Sequence, residues 1–486
     1  MVFSSPEFIF LFLPLVLLIT LLSGKKLSNY ILILASLLFY TWGEGGLVIL
    51  MIISMLVNYL FGLWLGSAKT DKSSKIVMTT AIVFNIGLLV AFKYTNFFID
   101  NINVLIESFG MTRINIKPIH LPIGISFYTF HALSYLIDIY RKDSAAQKNP
   151  FNIALYISLF PQLIAGPIVK YHDISQQLIN RTLSIDKFAS GVKRFIMGLG
   201  KKVLIANTLA TVADHVFAIP PGEMNTSVAW LGIVAYTLQI YFDFSGYSDM
   251  AIGLARMLGF EFLENFNYPY IATSIKEFWR RWHISLSTWF AEYLFKPLSL
   301  QFRAWRIKGL VLAILINFLL IGFWHGASWS FIFWGLFHGF FLVLEQLGWQ
   351  RILDKIWKPF SHIYTLLVVV FSWVFFRADN IDHAFIYLKS LLGFTHHLQT
   401  AYYSTDMYLN REVLLTFLIG ILFSTPLYNR LQHLFENWLT THPDKLMKPI
   451  KSAFSLVSLV FYFSIFFAST MSLASGTYNP FIYFRF

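Results

Sequence analysis

One histidine of this chain stands where it could serve as a general base. His325 lies between Trp324 and the small residues 326–328, in an apolar stretch that carries hardly any charge. Imidazole titrates at about 6.5, so it can take up and return a proton at neutral pH. The small residues would leave room for a substrate to approach. A lone histidine among apolar residues is more often structural, which is also the stronger interpretation of His338.

A second group of candidate residues is concentrated at positions 276–289. Arg280 and Arg281 are adjacent there, with Lys276 and His283 close by along the chain. Three tryptophans in the same segment recur at helical spacing, which is typical of an amphipathic helix at a membrane interface. The cations would also suit an anionic ligand, such as the phosphates of a coenzyme. Composition alone favours the interfacial helix.

Two carboxylates, Asp243 and Asp249, occur in an otherwise aromatic and apolar segment. An unpaired charge in hydrocarbon costs on the order of a few kcal/mol, so these groups must pair, cap a helix or face water. Ser245, Ser248 and Asp249 are suitable residues to cap a helix that starts near Met250. A scaffold role and a role in a site are equally compatible with this pattern.

The elements that position these residues belong to a membrane protein. The chain is 57% apolar, 18% aromatic and 13% charged, whereas a soluble domain carries about 25% charged residues. There is no cysteine, which excludes disulfides, thiolate metal sites and a cysteine acyl-enzyme. No histidine pair has the spacing of a zinc motif, so we expect no metal site.

The net charge of +12 would suggest a polyanionic partner if the protein were soluble. The basic residues instead form short clusters between apolar runs, as in the cytoplasmic loops of membrane proteins, and we expect no nucleic-acid partner. The clusters are Lys25 with Lys26, residues 69–75, Arg141 with Lys142, Lys201 with Lys202, and residues 445–451. Those after the first, third and fifth apolar runs place the N-terminus outside the cytoplasm.

Apolar runs predict roughly ten to twelve membrane-spanning helices, since a crossing needs about 17–25 residues. The first, at 8–22, has no preceding positive region and is expected to be a retained helix and not a signal peptide. From 150 to 308 the runs are short and broken by Pro, Gly and charges, including the stretch 243–256. Such backbone is tolerated at membrane depth only inside protein or beside a water-filled cavity, so chemistry is expected there.

The chain resembles a bacterial membrane-bound O-acyltransferase (MBOAT), in particular the membrane subunit of alginate O-acetyltransferase and its peptidoglycan O-acetylating relatives. The strings that carry the resemblance are residues 1–5, 121–128, 163–167, 241–253, 277–289, 324–326 and 478–486. The resemblance implies an all-α polytopic fold in which transmembrane, re-entrant and interfacial helices surround a central funnel. It also implies a single membrane-embedded domain, 1–486, with a catalytic core at about 120–345.

The resemblance also assigns roles to particular residues. His325 matches the nearly invariant catalytic histidine of the family, and His283 matches a second functional histidine of its bacterial branch. We therefore expect His325 to deprotonate an acceptor hydroxyl that attacks acetyl-CoA, and His283 to hold the acceptor or the developing oxyanion. Arg280, Arg281 and Lys276 would attract the coenzyme from the cytoplasm. Acetyl-CoA is then a substrate, and no permanently bound cofactor is expected.

The same resemblance implies partners outside the cytoplasm. The acceptor would be a polysaccharide such as alginate or peptidoglycan, reached through a periplasmic or membrane-anchored O-acetyltransferase partner, with the chain held among the lipids of the bacterial inner membrane. A tyrosine near the end of a partner in the related D-alanylation machinery is thought to relay the acyl group. Tyr483 could do the same here, or it could be an aromatic anchor at the interface.

One departure and two rival functions limit these expectations. Bacterial relatives often follow the His283 segment with Leu-Gly-Gly-Asn-Arg, whereas this chain has Lys-Pro-Leu-Ser-Leu-Gln-Phe-Arg at 296–303, so the substrate does not carry over. A proton-coupled transporter would also have many spans with buried ionisable residues. The absence of a two-fold repeat and the single central polar block argue against it. A lipid O-acyltransferase of the same family is the second rival.

Overall fold

The computed structural model describes residues 2–220, 223–394, 403–441, 444–476 and 478–482. All the regular secondary structure of these residues is helical, with no β-strand, which confirms the predicted all-α class. The α-helices are α1 (Leu13–Leu22), α2 (Gly24–Glu44), α3 (Val48–Ser67), α4 (Asp71–Leu89), α5 (Thr95–Ser108), α6 (Ile125–Arg141), α7 (Pro150–Ser158), α8 (Phe160–Leu163), α9 (Tyr171–Ile179), α10 (Ile185–Gly200), α11 (Asn207–Phe217), α12 (Thr226–Met257), α13 (Ile275–Arg281), α14 (Ile284–Phe290), α15 (Lys296–Gln301), α16 (Arg306–His325), α17 (Trp329–Leu344), α18 (Gln350–Leu353), α19 (Lys358–Arg377), α20 (Ile381–Leu391), α21 (Arg411–Phe423), α22 (Leu427–Thr441) and α23 (Asp444–Ala474).

Eight helical stretches of the described chain are long and apolar enough to cross a membrane, or nine if the bent pair α21 and α22 forms one crossing. The difference from the predicted ten to twelve has two sources. One stretch, Lys26–Ser67, joins α2 and α3, and its 42 residues are enough for two crossings of a core about 30 Å thick. The helices at Phe8–Leu22 and α6 are shorter than a full crossing.

The centre of the bundle is α12, a buried helix of 32 residues against which α10 and α11 pack. Glycines allow the α10 and α12 backbones to touch. A side chain at Gly246 would place its Cβ 2.7 Å from the carbonyl oxygen of Gly198, and one at Gly253 would lie 2.6 Å from that of Gly191. Small residues at such contacts are characteristic of helix pairs in membranes.

Because α12 is continuous, two of our predictions at this place are wrong. Ser245, Ser248 and Asp249 do not cap a new helix, since they lie within α12, and the stretch 243–256 is not broken. Lys201 and Lys202 do not mark a cytoplasmic loop, since they begin a π-helical segment that joins α10 to α11. Both corrections have the same physical reason. The charged groups of α12 find partners on α10 and on the segment that follows it, so α12 remains helical without a break.

Those partners are ion pairs at the face between α12 and the α10–α11 stretch. Asp249 binds Arg194 and Lys201, each with a nitrogen–oxygen distance of 2.6 Å. Asp243 binds Lys202 at 2.7 Å. A paired charge inside a membrane protein is tolerated, whereas an unpaired one is costly.

The short elements predicted around the centre are present on either side of α12. Before it, α7, α8 and α9 have nine, four and nine residues, and after it α13 and α14 have seven each. Most of their side chains are buried against the long helices. Irregular backbone thus lies inside protein, where its polar groups can be satisfied.

Candidate active site

His325 is the last residue of α16 and is buried in an aromatic cage. The rings of Trp334 and Phe376 meet its imidazole edge-on, with centroids 5.0 and 5.2 Å away, and the ring of Trp324 lies 4.8 Å away. Within the described part of the chain, its Nδ1 has no hydrogen-bond partner. A buried polar atom without a partner in a native structure calls for an explanation, and a substrate is one.

The turn after His325 is shaped by close helix packing. A Cβ at Gly322 on α16 would lie 2.3 Å from the carbonyl oxygen of Phe331, and one at Gly335 on α17 would lie 2.2 Å from that of Phe318. The chain therefore reverses tightly from α16 into α17, whose first turn is capped by Ser328. This reversal holds His325 at the turn between two tightly packed helices.

His283 lies between α13 and α14 in the left-handed backbone region, with φ of 43°. Its Nδ1 is 3.1 Å from Oδ1 of Asn265, and that oxygen also accepts from the backbone N–H of Ser285 at 3.1 Å. A backbone N–H can only donate, so the atom it faces is the amide oxygen and Nδ1 of His283 must carry a proton. In neutral His283, Nε2 is therefore unprotonated and can accept a hydrogen bond, and it has no partner among the described residues.

The two histidines belong to one aromatic cluster. The ring of Trp324 lies 6.3 Å from that of His283 and 4.8 Å from that of His325. Phe244 packs edge-on against His283 at 4.6 Å and also lines the small space beside His325. The structure therefore brings together two residues that are 42 positions apart in the chain (283 and 325).

His338, by contrast, has a structural environment. Its Nδ1 accepts from the indole N–H of Trp279 at 3.3 Å, and its Nε2 lies 3.0 Å from the hydroxyl of Ser372. That hydroxyl donates its own proton to the carbonyl of Val369, so it accepts from Nε2 of His338. Both ring nitrogens are satisfied, in agreement with the packing role that the sequence favoured.

A cavity of about 690 Å³, which we call the basic cavity, contains two of the three predicted coenzyme-binding cations. Lys276 and Arg280 line it and are exposed at its edge, and Arg351, which sequence reasoning missed, joins them. Its deeper wall is mostly apolar, with Ile314, Phe318 and Ile321 of α16, and also contains the buried side chains of Asn317 and Glu345. Cations beside an apolar slot suit a ligand with a phosphorylated end and an uncharged arm.

Arg281 points elsewhere. Its guanidinium binds the carboxylate of Glu277 at 2.9 Å and donates to the carbonyl of Asn267 at 3.0 Å. Burial opposes the charge of Glu277, but hydrogen bonds from Thr273 and Arg281 outweigh it and hold the pKa of the carboxyl below its usual value. Arg281 is therefore paired with an ionised group and is not among the residues that line the basic cavity.

A second cavity, of about 380 Å³, is lined by the residues that directly follow His325, and we call it the polar cavity. Asp214, Gln239 and Arg377 line it, with Arg377 hydrogen-bonded to Asp214 and the Tyr478 hydroxyl donating to Asp214 at 2.8 Å. Gln239 is buried, and its Oε1 has no hydrogen-bond partner in the described part of the chain. Sequence reasoning missed these residues, because nothing in the sequence indicates that they meet.

Along the chain, His325 lies between residues that line the two cavities. The basic cavity is lined by α16 residues from Leu310 to Ile321, and Gly326, directly after His325, lines the polar cavity. A gap of about 10 Å³, the histidine gap, is lined by His325 and by Ile482, the last residue that the structure describes. Tyr483, the predicted acyl relay, lies outside the described residues.

The chain is similar in sequence to known proteins over its full length. The model of the MBOAT, membrane-bound O-acyltransferase family matches residues 35–381. A probable alginate O-acetylase AlgI of Pseudomonas putida is 39% identical over the full length of both chains. A peptidoglycan O-acetyltransferase of Helicobacter pylori is 32% identical and covers 100% of this chain and 98% of its own. A teichoic acid D-alanyltransferase of Bacillus subtilis is 28% identical and covers 52% of this chain and 66% of its own.

The family match contains both histidines, their aromatic cluster and all the residues that line the basic cavity. Full-length relatives above 30% identity extend the similarity to the termini. The chain therefore belongs to the membrane-bound O-acyltransferase family, and it is a multi-pass membrane O-acyltransferase.

Proposed function

We propose that this enzyme moves an acetyl group from acetyl-CoA on the cytoplasmic side to a hydroxyl group presented from the other side, for O-acetylation of an extracytoplasmic polysaccharide. The observation that carries the proposal is the position of His325 between a cavity edged by cations and a cavity lined by hydrogen-bonding groups. The names of the full-length relatives, which concern alginate and peptidoglycan, support a polysaccharide acceptor.

The basic cavity is the proposed acetyl-CoA site. Lys276, Arg280 and Arg351 at its edge would bind the phosphates, and the apolar wall on α16 would accompany the pantetheine arm toward His325. Arg281 would contribute more weakly, through the long-range field of the cluster, since its nearest anion is Glu277. On the basis of the positive-inside rule, we propose that this edge faces the cytoplasm and that the N-terminus lies on the opposite side.

The polar cavity is the proposed acceptor site. The unpartnered Oε1 of Gln239 would accept a hydrogen bond from a hydroxyl of the acceptor. A site built to bind a hydroxyl discriminates strongly against a molecule that lacks it, because its own buried polar group would then stay unpaired. Polysaccharides and the hydroxyl side chain of a partner protein both offer such a donor.

In the proposed reaction, His325 takes the proton of the acceptor hydroxyl while the oxygen attacks the carbonyl carbon of the acetyl thioester. The carbon–sulfur bond breaks, CoA leaves as the thiolate, and the protonated His325 returns the proton to its sulfur. His283 would accept a hydrogen bond at Nε2 from a second hydroxyl of the acceptor, because the proton of the reacting hydroxyl goes to His325. Of the two roles predicted for it, we favour this one, because the tautomer imposed by Asn265 leaves Nε2 without a proton.

The proposal includes a partner and a place in the cell. We propose that the enzyme resides in the bacterial inner membrane and passes the acetyl group to a periplasmic or membrane-anchored O-acetyltransferase, which finishes the transfer to the glycan. Tyr483 follows Ile482, which lines the histidine gap. That proximity in sequence supports its proposed role as an acyl relay, and acetyl-tyrosine in the C-terminal peptide during turnover would be the evidence for it.

The test uses the purified protein in lipid nanodiscs with radiolabelled acetyl-CoA and a partner-containing periplasmic extract. The wild type should release CoA, and His325→Ala should lower the rate by about 10²- to 10⁴-fold, as expected when a general base is removed. His120→Ala is the matched control, because that histidine is exposed. If the wild type releases no CoA under these conditions, the donor assignment is wrong.

A further inference from the structure

A lysine that the sequence analysis did not single out contacts the end of the helix that carries His325. Lys93 lies in a π-helical segment, Val90–Tyr94, that connects α4 to α5. Its ammonium group donates to the carbonyl oxygen of Trp324 and lies 3.5 Å from that of His325. The next residue, Tyr94, donates from its hydroxyl to the carbonyl of Phe323 at 3.2 Å.

These contacts satisfy backbone groups that a helix end leaves open. The last four carbonyls of an α-helix have no partner within the helix. In α16 those of Phe323, Trp324 and His325 are bound by Lys93 and Tyr94, and Gly322 accepts from the N–H of the residue after the helix. One short segment therefore caps the last turn of α16, the turn that carries His325.

The charge of Lys93 is compensated by dipoles. Its hydrogen-bond partners are neutral oxygens, and within the described part of the chain it forms no ion pair with a carboxylate. The carbonyl end of a helix attracts a cation, and the face of the Trp324 ring, 5.7 Å from the ammonium group, does so too. A half-buried cation held in a membrane protein without a carboxylate is a candidate for a functional role.

The third partner of Lys93 lies in the string 121–128 and indicates a structural reason for the residues found there. Ser126 lies in the first turn of α6, and its hydroxyl oxygen is 3.4 Å from the Lys93 ammonium. Gly124 precedes that turn with φ of 76°, and a Cβ there would come 2.8 Å from the carbonyl oxygen of Leu163. The glycine thus permits the start of α6 to pack against the end of α8, and Lys93 joins the first turn of α6 to the end of α16.

We propose that Lys93 is a positioning residue, which holds the last turn of α16 and thereby aims the His325 imidazole into the histidine gap. The proposal rests on the proposed function of His325. Among the described residues, the linings of the basic cavity, polar cavity and histidine gap do not include Lys93, so it acts through the helix and not on a substrate. A misplacement of about 1 Å can cost on the order of 100-fold in rate.

The test compares Lys93→Met with Lys75→Met, an exposed lysine of the same helical stretch, in the CoA-release assay. Lys93→Met should lower kcat by about 10- to 100-fold and leave the KM for acetyl-CoA within about twofold. Lys75→Met should match the wild type. Lys93→Arg, which keeps a charged donor, should retain part of the activity.

A chemical rescue distinguishes positioning by the charge from loss of folding. Lys93→Ala should regain turnover when ethylammonium is added, and the control His325→Ala should not. Wild-type kcat in Lys93→Met would overturn the proposal. So would a Lys93→Ala variant that no amine rescues, or equal losses of turnover and acetyl-CoA binding, either of which would assign Lys93 a purely structural role. If the wild type itself releases no CoA, the proposed function fails instead.

Discussion

The ammonium nitrogen of Lys202 lies 2.7 Å from a carboxylate oxygen of Asp243, and both side chains are buried at the centre of the bundle. The pair also holds the end of the described chain. Lys202 donates to the carbonyl of Pro480, and the second oxygen of Asp243 accepts from the N–H of Ile482 at 2.9 Å. Because Ile482 lines the histidine gap, this ion pair connects the core of the bundle to a wall of the site.

We expect Asp243→Asn and Lys202→Met each to lower the free energy of unfolding by about 3–5 kcal/mol, because removal of one partner leaves a buried charge uncompensated. The combined Lys202→Met, Asp243→Asn variant should lose less than the sum of the two single losses. Equilibrium unfolding in mild detergent measures the free energy of unfolding of the single and combined variants. Lys187→Met, at a partly exposed pair with Glu261, is the control and should cost no more than about 1 kcal/mol. Additive losses in the combined variant would contradict the coupling.

Gln239→Leu should weaken use of the acceptor and leave use of the donor intact. The substitution keeps the size of the side chain and removes the oxygen that we propose accepts a hydrogen bond from a hydroxyl of the acceptor substrate. The kcat/KM for that substrate should therefore fall about tenfold or more. The KM for acetyl-CoA should not change. Gln301→Leu, at an exposed glutamine, is the control. An unchanged kcat/KM for every acceptor tested would show that Gln239 is not part of the acceptor site.

Arg280→Met and Arg351→Met should each raise the KM for acetyl-CoA by about tenfold, the value expected from the loss of one charge-assisted hydrogen bond. Acetyl-pantetheine, which lacks the phosphates, should be used equally well by the wild type and by both variants. Arg281→Met should raise this KM much less than the other two variants, because its guanidinium is engaged with Glu277. A comparable rise in Arg281→Met would instead support the role that the sequence predicted for Arg281.

The sequence by itself determined the class of the protein, and it singled out His283 and His325 as candidate site residues. Hydropathy is a sum over neighbouring residues, so the apolar runs could be recognised without knowledge of the fold. For the same reason, the sequence predicted that the elements around 150–179 and 269–305 are short and broken. The strings around His283 and His325 are equally local. Each string contains a histidine together with the neighbouring residues that determine the local backbone turn.

Only the tertiary structure decided which charged groups meet. Asp243 and Asp249 suggested a helix break at 243–256, but their partners lie about 40 to 55 residues earlier, and pairing kept α12 continuous. Arg351 replaced Arg281 at the basic cavity, and Lys93 reached α16 across more than 200 residues of chain. A polar side chain in an apolar protein must find its partner wherever packing brings one within about 3 Å, and that choice is not encoded in any local window.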